Sequence, residues 1–216
     1  MIMHVAHLRQ NYIRDGLHED DVNSDPMQQF ATWFAEASEI EEIREPNAMV
    51  LGTVSAAGRP SARVVLLKHF DESGFVFFTN YTSRKGTELL ENGFASLVFW
   101  WEPLERQVRI EGKVEKIAAA ESDEYFHSRP RQSQLGAWAS PQSESIANRE
   151  TLEQNFVDLE KKYPEGTEIP RPDHWGGFKV VPDKIEFWQG RPSRLHDRLV
   201  FSLQTDKTWQ RERLAP

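Results

Sequence analysis

The chain has 216 residues, of which 38% are hydrophobic and 28% charged, and its 26 Lys and Arg against 34 Asp and Glu give a net charge of −8. This length fits one domain, no apolar run approaches the roughly 18 residues of a membrane helix, and the N-terminus lacks the apolar segment of a signal peptide. The absence of cysteine excludes disulfides, thiolate metal sites and a cysteine nucleophile and fits the cytoplasm, while the acidic balance argues against a nucleic-acid partner.

The first predicted elements are an N-terminal arm and one helix. Residues 1–24 are polar, and we expect them to form a flexible arm ahead of a single domain at 25–216. Asp25 and Pro26 then favour a helix start, because aspartate caps a helix N-terminus and proline fits its first turn. Apolar residues at helical spacing follow, and we expect this helix to end near Arg44.

The rest of the chain is predicted to alternate between short strands and helical stretches. Alternating apolar runs joined by turns predict strands at 48–55, 61–70, 75–80, 94–101, 104–117, 177–181, 184–189, 198–204 and 208–213. Helical spacing predicts helices at 83–91, 119–139 and 144–163. Hairpin-linked strands with inserted helices predict a mainly β, α+β fold whose antiparallel sheet closes into a barrel. No G-x-G-x-x-G, P-loop, G-x-S-x-G or H-E-x-x-H motif occurs, so the usual nucleotide cradles, serine hydrolases and zinc proteases are not indicated.

Two groups of cations mark candidate anion sites. Ser83 suits an N-cap position, which places Arg84 and Lys85 in the first helical turn, where cations oppose the helix dipole. The pair is either a solvated basic surface or the partner of an anion, such as a phosphate, at the helix N-terminus. Arg63 and Lys68 bracket four apolar residues, and strict alternation puts them on opposite faces of a strand. They serve two sites, flank a bulge, or reach solvent from two strand ends.

A third candidate site combines a phenol, a guanidinium and a hydroxyl. Tyr125 and Arg129 lie four residues apart and share one helix face. Ser133 joins that face only loosely, because Pro130 breaks or restarts the helix. The three groups together can bind a phosphate through charge-assisted hydrogen bonds, although each alone is more often a surface residue.

A fourth candidate site lies near the C-terminus. Arg194, His196 and Arg198 alternate along the chain, so an extended conformation would point all three side chains to one side. Three cationic or titratable groups on one side are costly unless an acidic ligand or partner offsets their charge. A histidine between two arginines on one face therefore indicates a functional site more than a lone histidine does.

These segments resemble one enzyme family. Together with 104–107, 175–177, 185–190 and 213–216 they are similar to the pyridoxamine/pyridoxine 5′-phosphate oxidases, and the similarity runs from about residue 6 to the C-terminus. The resemblance implies an FMN-binding split barrel that works as a homodimer, with the flavin at the subunit interface. It also implies the final step of pyridoxal 5′-phosphate synthesis. In that step a hydride passes from C4′ of pyridoxine or pyridoxamine 5′-phosphate to N5 of FMN, and O2 is reduced to H2O2.

The resemblance also assigns roles to individual residues. The residues that hold FMN mainly around its phosphate are Arg63, Arg84, Lys85, Gln142 and Ser143. Further cofactor-binding residues are Val64, Val65, Leu66, Leu67, Lys68, Phe78 and Thr79, with Gln107, Trp188 and Arg198 at the rest of the flavin. The residues that grip the substrate phosphate are Lys68, Tyr125, Arg129 and Ser133. The candidate catalytic residues Arg194 and His196 contact the substrate ring beside Leu195, and Arg9 and Tyr12 close over it. No metal is expected.

Two other functions share parts of this pattern. A related FMN oxidase acting on another ring, as in phenazine biosynthesis, would have the same barrel and cofactor without the substrate-phosphate set. A non-catalytic split-barrel module that stores or senses a cofactor would lose part of 194–198. The substrate-phosphate residues and the whole of 194–198 are both present, which favours an oxidase that forms pyridoxal 5′-phosphate. Residues 18–21 read His-Glu-Asp-Asp where many relatives carry basic residues, which argues against a phosphate-binding role for the arm.

Overall fold

A computed structural model of the protein describes residues 3–5, 7–8 and 11–216. The α-helices are α1 (Pro26–Ser38), α2 (Arg84–Asn92), α3 (Ala119–Ser128), α4 (Arg131–Ala139) and α5 (Arg149–Lys162). The strands are β1 (Ala48–Val54), β2 (Pro60–Leu66), β3 (His69–Asp71), β4 (Gly74–Asn80), β5 (Phe94–Trp101), β6 (Arg106–Lys116), β7 (Trp175–Gln189), β8 (Asp197–Leu203) and β9 (Trp209–Arg213). Short 3₁₀ helices occupy Glu19–Asp21, Glu102–Leu104 and Pro192–Arg194.

The strands form one hydrogen-bonded sheet. Its order is β2-β1-β5-β6-β7-β4-β3, and β8 pairs with β7 and β9 with β8. The pairs β3–β4, β4–β7, β7–β8 and β8–β9 are antiparallel. Phe77 lies opposite Phe178 in the second of these pairs, and Trp188 lies opposite Arg198 in the third.

The first predicted helix ends earlier than expected, and the second predicted strand is divided in two. Helix α1 stops at Ser38, not near Arg44, because its buried face ends at Ala37 and the Glu39 N–H closes the last turn. The predicted strand at 61–70 is divided into β2 and β3. The chain leaves β2 after Leu66, and the Lys68 N–H donates to the Val76 carbonyl at 2.9 Å.

Two prolines have opposite effects on the elements that contain them. The stretch at 119–139 forms two helices, because Pro130 keeps Arg129 extended at ψ 149° and out of the helical region. In contrast, Pro182 does not end the predicted strand at 177–181, and β7 continues to Gln189. Pro182 lies between the residues paired with β4 and those paired with β8, so neither of these two ladders needs its missing N–H.

The chain folds as two compact units. The terminal unit comprises Met1–Val50, Ser96–Glu111 and Pro182–Pro216, and the central unit comprises Leu51–Ala95 and Gly112–Val181. The predicted flexible arm and single domain stay a prediction. None of the helices in the described part of the chain is long and apolar enough to cross a membrane.

Aromatic side chains fill the core of the terminal unit. Phe30 and Trp33 of α1 are at most 3% exposed. The Phe30 ring lies 5.1 Å from the Phe99 ring, and the Trp33 ring lies 5.2 Å from the Phe187 ring, both edge to face. Burying side chains of this size contributes roughly 1.5–3 kcal/mol each, which anchors α1 on the strands.

The central unit has its own aromatic core. Phe77 and Phe178 pack across the β4–β7 ladder with ring centroids 6.0 Å apart. A second cluster joins α3, α4 and the start of β7 through Phe126, Leu135, Ile169 and Trp175. This cluster fixes the two helices that carry the third candidate site.

Candidate active site

The central unit contains a cavity of about 520 Å³. It is lined by Val64, Val65, Leu66, Lys68, Phe78, Thr79, Lys85, Tyr125, Arg129, Pro130, Ser133, Gln142 and Trp175. Residues predicted to bind FMN and residues predicted to grip the substrate phosphate therefore lie around the same cavity. Its lining contains three cations and no carboxylate, which is the composition of an anion site.

The break between α3 and α4 brings the third candidate site together. Tyr125 lies on α3, and Arg129 is the residue that ends this helix. Helix α4 begins directly after Pro130, and the Ser133 N–H donates to the Pro130 carbonyl at 2.8 Å. Tyr125, Arg129 and Ser133 line one cavity as a result.

The start of α2 is packed tightly against the end of β4. Ser83 is the predicted N-cap, and its hydroxyl accepts from the Gly86 N–H at 3.3 Å and donates to the Asn80 carbonyl at 2.7 Å. A Cβ atom at Gly86 would lie 2.3 Å from the Tyr81 carbonyl oxygen, so only glycine fits there. This packing fixes the first turn, which presents Lys85 to the cavity.

Lys85 belongs to a hydrogen-bonded group on the cavity wall. Its ammonium donates to Gln142 Oε1 at 3.0 Å and to Thr79 Oγ1 at 3.2 Å, and Thr79 also donates to Gln142. Burial and, to a smaller extent, the nearby Arg63 lower the pKa of Lys85. A bound anion would counteract both effects on the pKa of Lys85, since its negative charge favours the charged form of the half-buried amine.

Arg129 has an unused donor inside the protein. Its Nη1 nitrogen is buried and has no hydrogen-bond partner among the described residues. The guanidinium lies 4.6 Å from the centre of the Trp175 ring, which supplies a cation–π contact but no acceptor. Burial lowers the pKa of Arg129. A buried guanidinium nitrogen without an acceptor fits a ligand that brings oxygen atoms, such as a phosphate.

Arg63 and Arg84 are held by one buried carboxylate. Glu88, on α2, accepts from Arg84 Nε at 2.9 Å and from Arg63 Nη2 at 3.5 Å. The hydroxyls of Thr53 and Ser61 also donate to Glu88, at 2.5 and 2.7 Å. Although burial acts to raise it, these hydrogen bonds and that from Arg84 lower the pKa of Glu88 to about 2.

The terminal unit contains a separate cavity of about 680 Å³. Its lining residues are Leu8, Asn11, Tyr12, Trp188, Arg191, Ser193, Arg194 and His196. Three rings form one wall: the Trp188 ring lies 5.7 Å from the Tyr12 ring and 4.6 Å from the His196 ring. An aromatic wall beside two arginines suits a planar ligand that carries acceptor oxygens.

The backbone sets the tautomer of His196. The Arg191 N–H donates to His196 Nδ1 at 3.1 Å, so the neutral ring carries its proton on Nε2. Burial and the Arg194 guanidinium lower the pKa of His196, and the Asp197 carboxylate opposes them. The lowered pKa favours the neutral ring, in which Nε2–H is a hydrogen-bond donor.

The predicted extended conformation of 194–198 is wrong for its first residue. Ser193 and Arg194 have φ of 58° and 62°, and extended backbone begins only at β8. Arg194 and His196 line the terminal cavity, but Arg198 does not. The Arg198 guanidinium instead donates to both carboxylate oxygens of Glu186, at 2.8 and 3.1 Å, and this ion pair offsets its charge.

Comparisons with known proteins identify the family. Residues 36–163 match the family model described as pyridoxamine 5′-phosphate oxidase, and residues 175–216 match that of the pyridoxine 5′-phosphate oxidase C-terminal dimerisation region. A pyridoxine/pyridoxamine 5′-phosphate oxidase from Trichormus variabilis is 58% identical over 212 residues, 98% of each chain. The chain belongs to the pyridoxine/pyridoxamine 5′-phosphate oxidase family.

Two solved structures show which fold the chain has. The crystal structure of PhzG from Burkholderia lata, in complex with tetrahydrophenazine-1-carboxylic acid, is similar with a TM-score of 0.86 and 33% identity, over 94% of this chain and 98% of that one. An FMN-binding protein from Nostoc punctiforme, related to pyridoxamine 5′-phosphate oxidase, has a TM-score of 0.71 and 15% identity, over 90% of this chain and 100% of that one. The predicted fold class, an antiparallel FMN-binding split barrel with flanking helices, is confirmed.

Several predicted site residues of the oxidase lie outside the two cavity linings. Those in the central unit are Arg63, Leu67, Arg84 and Ser143, and those in the terminal unit are Gln107, Leu195 and Arg198. Leu67 is only 3% exposed and belongs to the core, whereas Leu195 is 70% exposed. Arg9 lies outside the described residues.

Sequence reasoning missed several side chains around these cavities. Trp175 was part of the resemblance but received no role, although it supports Arg129. Glu88 could have been found, since it lies four residues after Arg84 on one helix face. Asn11 and Arg191 carried no comparable signal, because long-range folding brings them to the terminal cavity.

Proposed function

We propose that the chain is an FMN-dependent oxidase that converts pyridoxine 5′-phosphate or pyridoxamine 5′-phosphate to pyridoxal 5′-phosphate. The observation that carries the proposal is the central cavity, whose lining includes Lys68, Lys85 and Arg129 and no carboxylate. Full-length relatives at 55–58% identity bear the name of this oxidase.

The residues of the central unit fit a flavin phosphate. Lys85, Thr79 and Gln142 already form one polar group, and Glu88 orients Arg63 and Arg84. We assign the FMN phosphate to Arg63, Arg84, Lys85, Gln142 and Ser143, and the adjoining flavin to Val64, Val65, Leu66, Leu67, Lys68, Phe78 and Thr79. When bound, FMN supplies the hydride acceptor at N5 for the substrate C4′ carbon and passes the electrons to O2, giving H2O2.

The substrate phosphate is assigned to four residues of the same cavity. Lys68 and Arg129 supply the charge, and Tyr125 and Ser133 supply hydroxyl donors. Binding energy from the phosphate, which does not react, can hold the C4′ carbon at the reacting position. The positions of these groups therefore decide the rate as well as the affinity.

The terminal unit supplies the groups assigned to the substrate ring. Neutral His196 donates from Nε2, which suits the 3-oxygen of the pyridine ring, and Arg194 pins the ring and steadies developing charge. Arg9, Tyr12 and Leu195 complete this set. Gln107, Trp188 and Arg198 are assigned to the rest of the flavin, where Arg198 stabilises negative charge on the pyrimidine end.

The C-terminal match to a dimerisation region supports a homodimer. Its residues 175–216 include β7, β8 and β9, the strands that also carry Trp188 and Arg198. We further propose that the flavin lies at the interface of the two copies. A cytoplasmic location stays a prediction.

The test is an anaerobic half-reaction. Purified yellow protein is mixed with pyridoxine 5′-phosphate without oxygen, flavin absorbance is followed, and air is then admitted. We expect bleaching followed by recovery, with pyridoxal 5′-phosphate and H2O2 formed in equal amounts. Flavin that stays oxidised would refute the proposal. Bleaching by tetrahydrophenazine-1-carboxylic acid, the ligand in the similar PhzG structure, and not by pyridoxine 5′-phosphate would instead favour an oxidase that acts on a phenazine-type ring.

A further inference from the structure

The loop that carries Arg194 and His196 has a strained backbone. Ser193 and Arg194 occupy the left-handed region, which is unfavourable for residues with a Cβ atom. Such conformations persist only where surrounding contacts determine them. The described contacts of residues 190–197 therefore indicate what holds the two proposed catalytic side chains in place.

The Asp197 carboxylate holds this loop through two hydrogen bonds. Its Oδ1 accepts from Arg213 Nη1 at 2.7 Å, and its Oδ2 accepts from the Leu17 N–H at 3.0 Å. Arg191, at the start of the loop, also faces Oδ2, with its Nε at 3.8 Å. One carboxylate thus connects both ends of the loop to the N-terminal segment and to β9.

Glu19 completes this arrangement through Arg213. Arg213 Nε and Nη2 donate to the two oxygens of Glu19 at 2.7 and 2.8 Å, and Nη2 also donates to the Leu17 carbonyl at 2.8 Å. The bond from Arg213 lowers the pKa of Glu19 to about 2, and the same bond raises the pKa of Arg213. Glu19, one of the acidic residues that argued against a phosphate-binding role for the arm, is therefore paired with Arg213.

We propose that Asp197, Arg213 and Glu19 form a clasp in which Asp197 is a positioning residue for Arg194 and His196. The inference rests on the proposed function for the role of these two side chains. The clasp sets the loop geometry that lets the Arg191 N–H reach His196 Nδ1, and thereby aims Nε2–H into the terminal cavity. Among the described residues, the charged groups near the His196 ring are Arg191, Arg194 and Asp197, and the Tyr12 and Trp188 rings pack against it.

The test replaces Asp197 with asparagine in the flavin-loaded full chain. We expect kcat/KM for pyridoxine 5′-phosphate to fall about tenfold at unchanged FMN content, because charge-assisted bonds that orient the loop are lost. The acid limb of the rate profile should also move to lower pH, since the carboxylate that favours protonated His196 is gone. Glu19→Gln should give a smaller loss in the same direction. The control is Glu212→Gln, an exposed carboxylate of β9, which should leave both quantities unchanged.

A second readout does not depend on activity. Amide hydrogen exchange at Arg191 and Leu195, whose N–H groups bond within the loop, should be faster in Asp197→Asn than in Glu212→Gln. Wild-type kcat/KM, pH profile and exchange in Asp197→Asn would overturn the clasp. If Asp197→Asn does not fold, unchanged exchange and rate in Glu19→Gln would overturn it equally. If the wild-type chain does not oxidise pyridoxine 5′-phosphate, the proposed function fails while exchange still decides the clasp.

Discussion

Replacing Arg129 with methionine removes the guanidinium and keeps an apolar side chain over Trp175. Without substrate, two effects on stability oppose each other. The unpartnered Nη1 nitrogen costs about 1–3 kcal/mol when buried, and the lost cation–π contact to Trp175 contributed about 0.5–2 kcal/mol. We therefore expect the free energy of unfolding to change by less than about 1 kcal/mol.

Substrate binding should respond much more strongly than stability. A hydrogen bond to a charged group contributes roughly 1.5–3 kcal/mol, so KM for pyridoxine 5′-phosphate should rise roughly 10- to 150-fold. Steady-state kinetics with H2O2 detection give KM, and thermal unfolding of the same samples gives stability. FMN content should stay at the wild-type level, because Arg129 is assigned to the substrate phosphate.

Arg131 provides the matched control for Arg129. It lies two residues further along the chain, and its guanidinium donates to the carbonyls of Tyr163, Pro164 and Thr167. Arg131→Met should lower the free energy of unfolding by about 1–3 kcal/mol and leave KM unchanged. An unchanged KM in Arg129→Met, or equal effects of the two variants on KM, would refute the assignment of Arg129 to the phosphate.

Three further predictions concern the proposed catalytic groups and Glu88. Because burial and Arg194 lower the pKa of His196, kcat/KM should fall as the pH drops through a value below 6.5, and this limb should be absent from the pH profile of His196→Asn. Arg194→Ala should reduce turnover far more than FMN content, measured by flavin absorbance per chain, and equal losses would contradict its role at the substrate ring. The pKa of Glu88 lies below its ordinary value, so its contribution to stability is present above pH 4.5 and is lost as the pH falls towards about 2. Urea unfolding between pH 6 and pH 3 should accordingly show a weaker pH dependence in Glu88→Gln than in the wild-type chain.

Local patterns in the sequence predicted most elements of the fold. Alternation and turn residues predicted the strands, and Ser83 and Pro26 marked two helix starts correctly. Pro130 divides the helical stretch at 119–139, as the sequence predicted, whereas Pro182 lies inside a strand without ending it. The difference depends on where the neighbouring strands pair, which the local sequence does not contain.

The candidate site was predictable where its groups are close in sequence. The spacing of Tyr125 and Arg129 predicted one helix face for both residues, and both line one cavity together with Ser133, which follows the proline break. The conformation of Arg194 was not predictable from alternation, since long-range bonds from Asp197 to Leu17 and Arg213 hold that loop. The bond between Leu17 and Asp197 spans 180 residues, and a contact over such a distance leaves no periodic signal in the sequence.

Gly86 determines more than the path of the backbone. The first turn of α2 is pressed against the Tyr81 carbonyl so closely that a methyl group at position 86 would not fit, and this packing fixes the backbone that carries Lys85. Hydrogen bonds to Thr79 and Gln142 then position the ammonium of Lys85. The first turn of the proposed flavin-phosphate site would thus be ordered by packing alone, so that binding would require little ordering of this backbone.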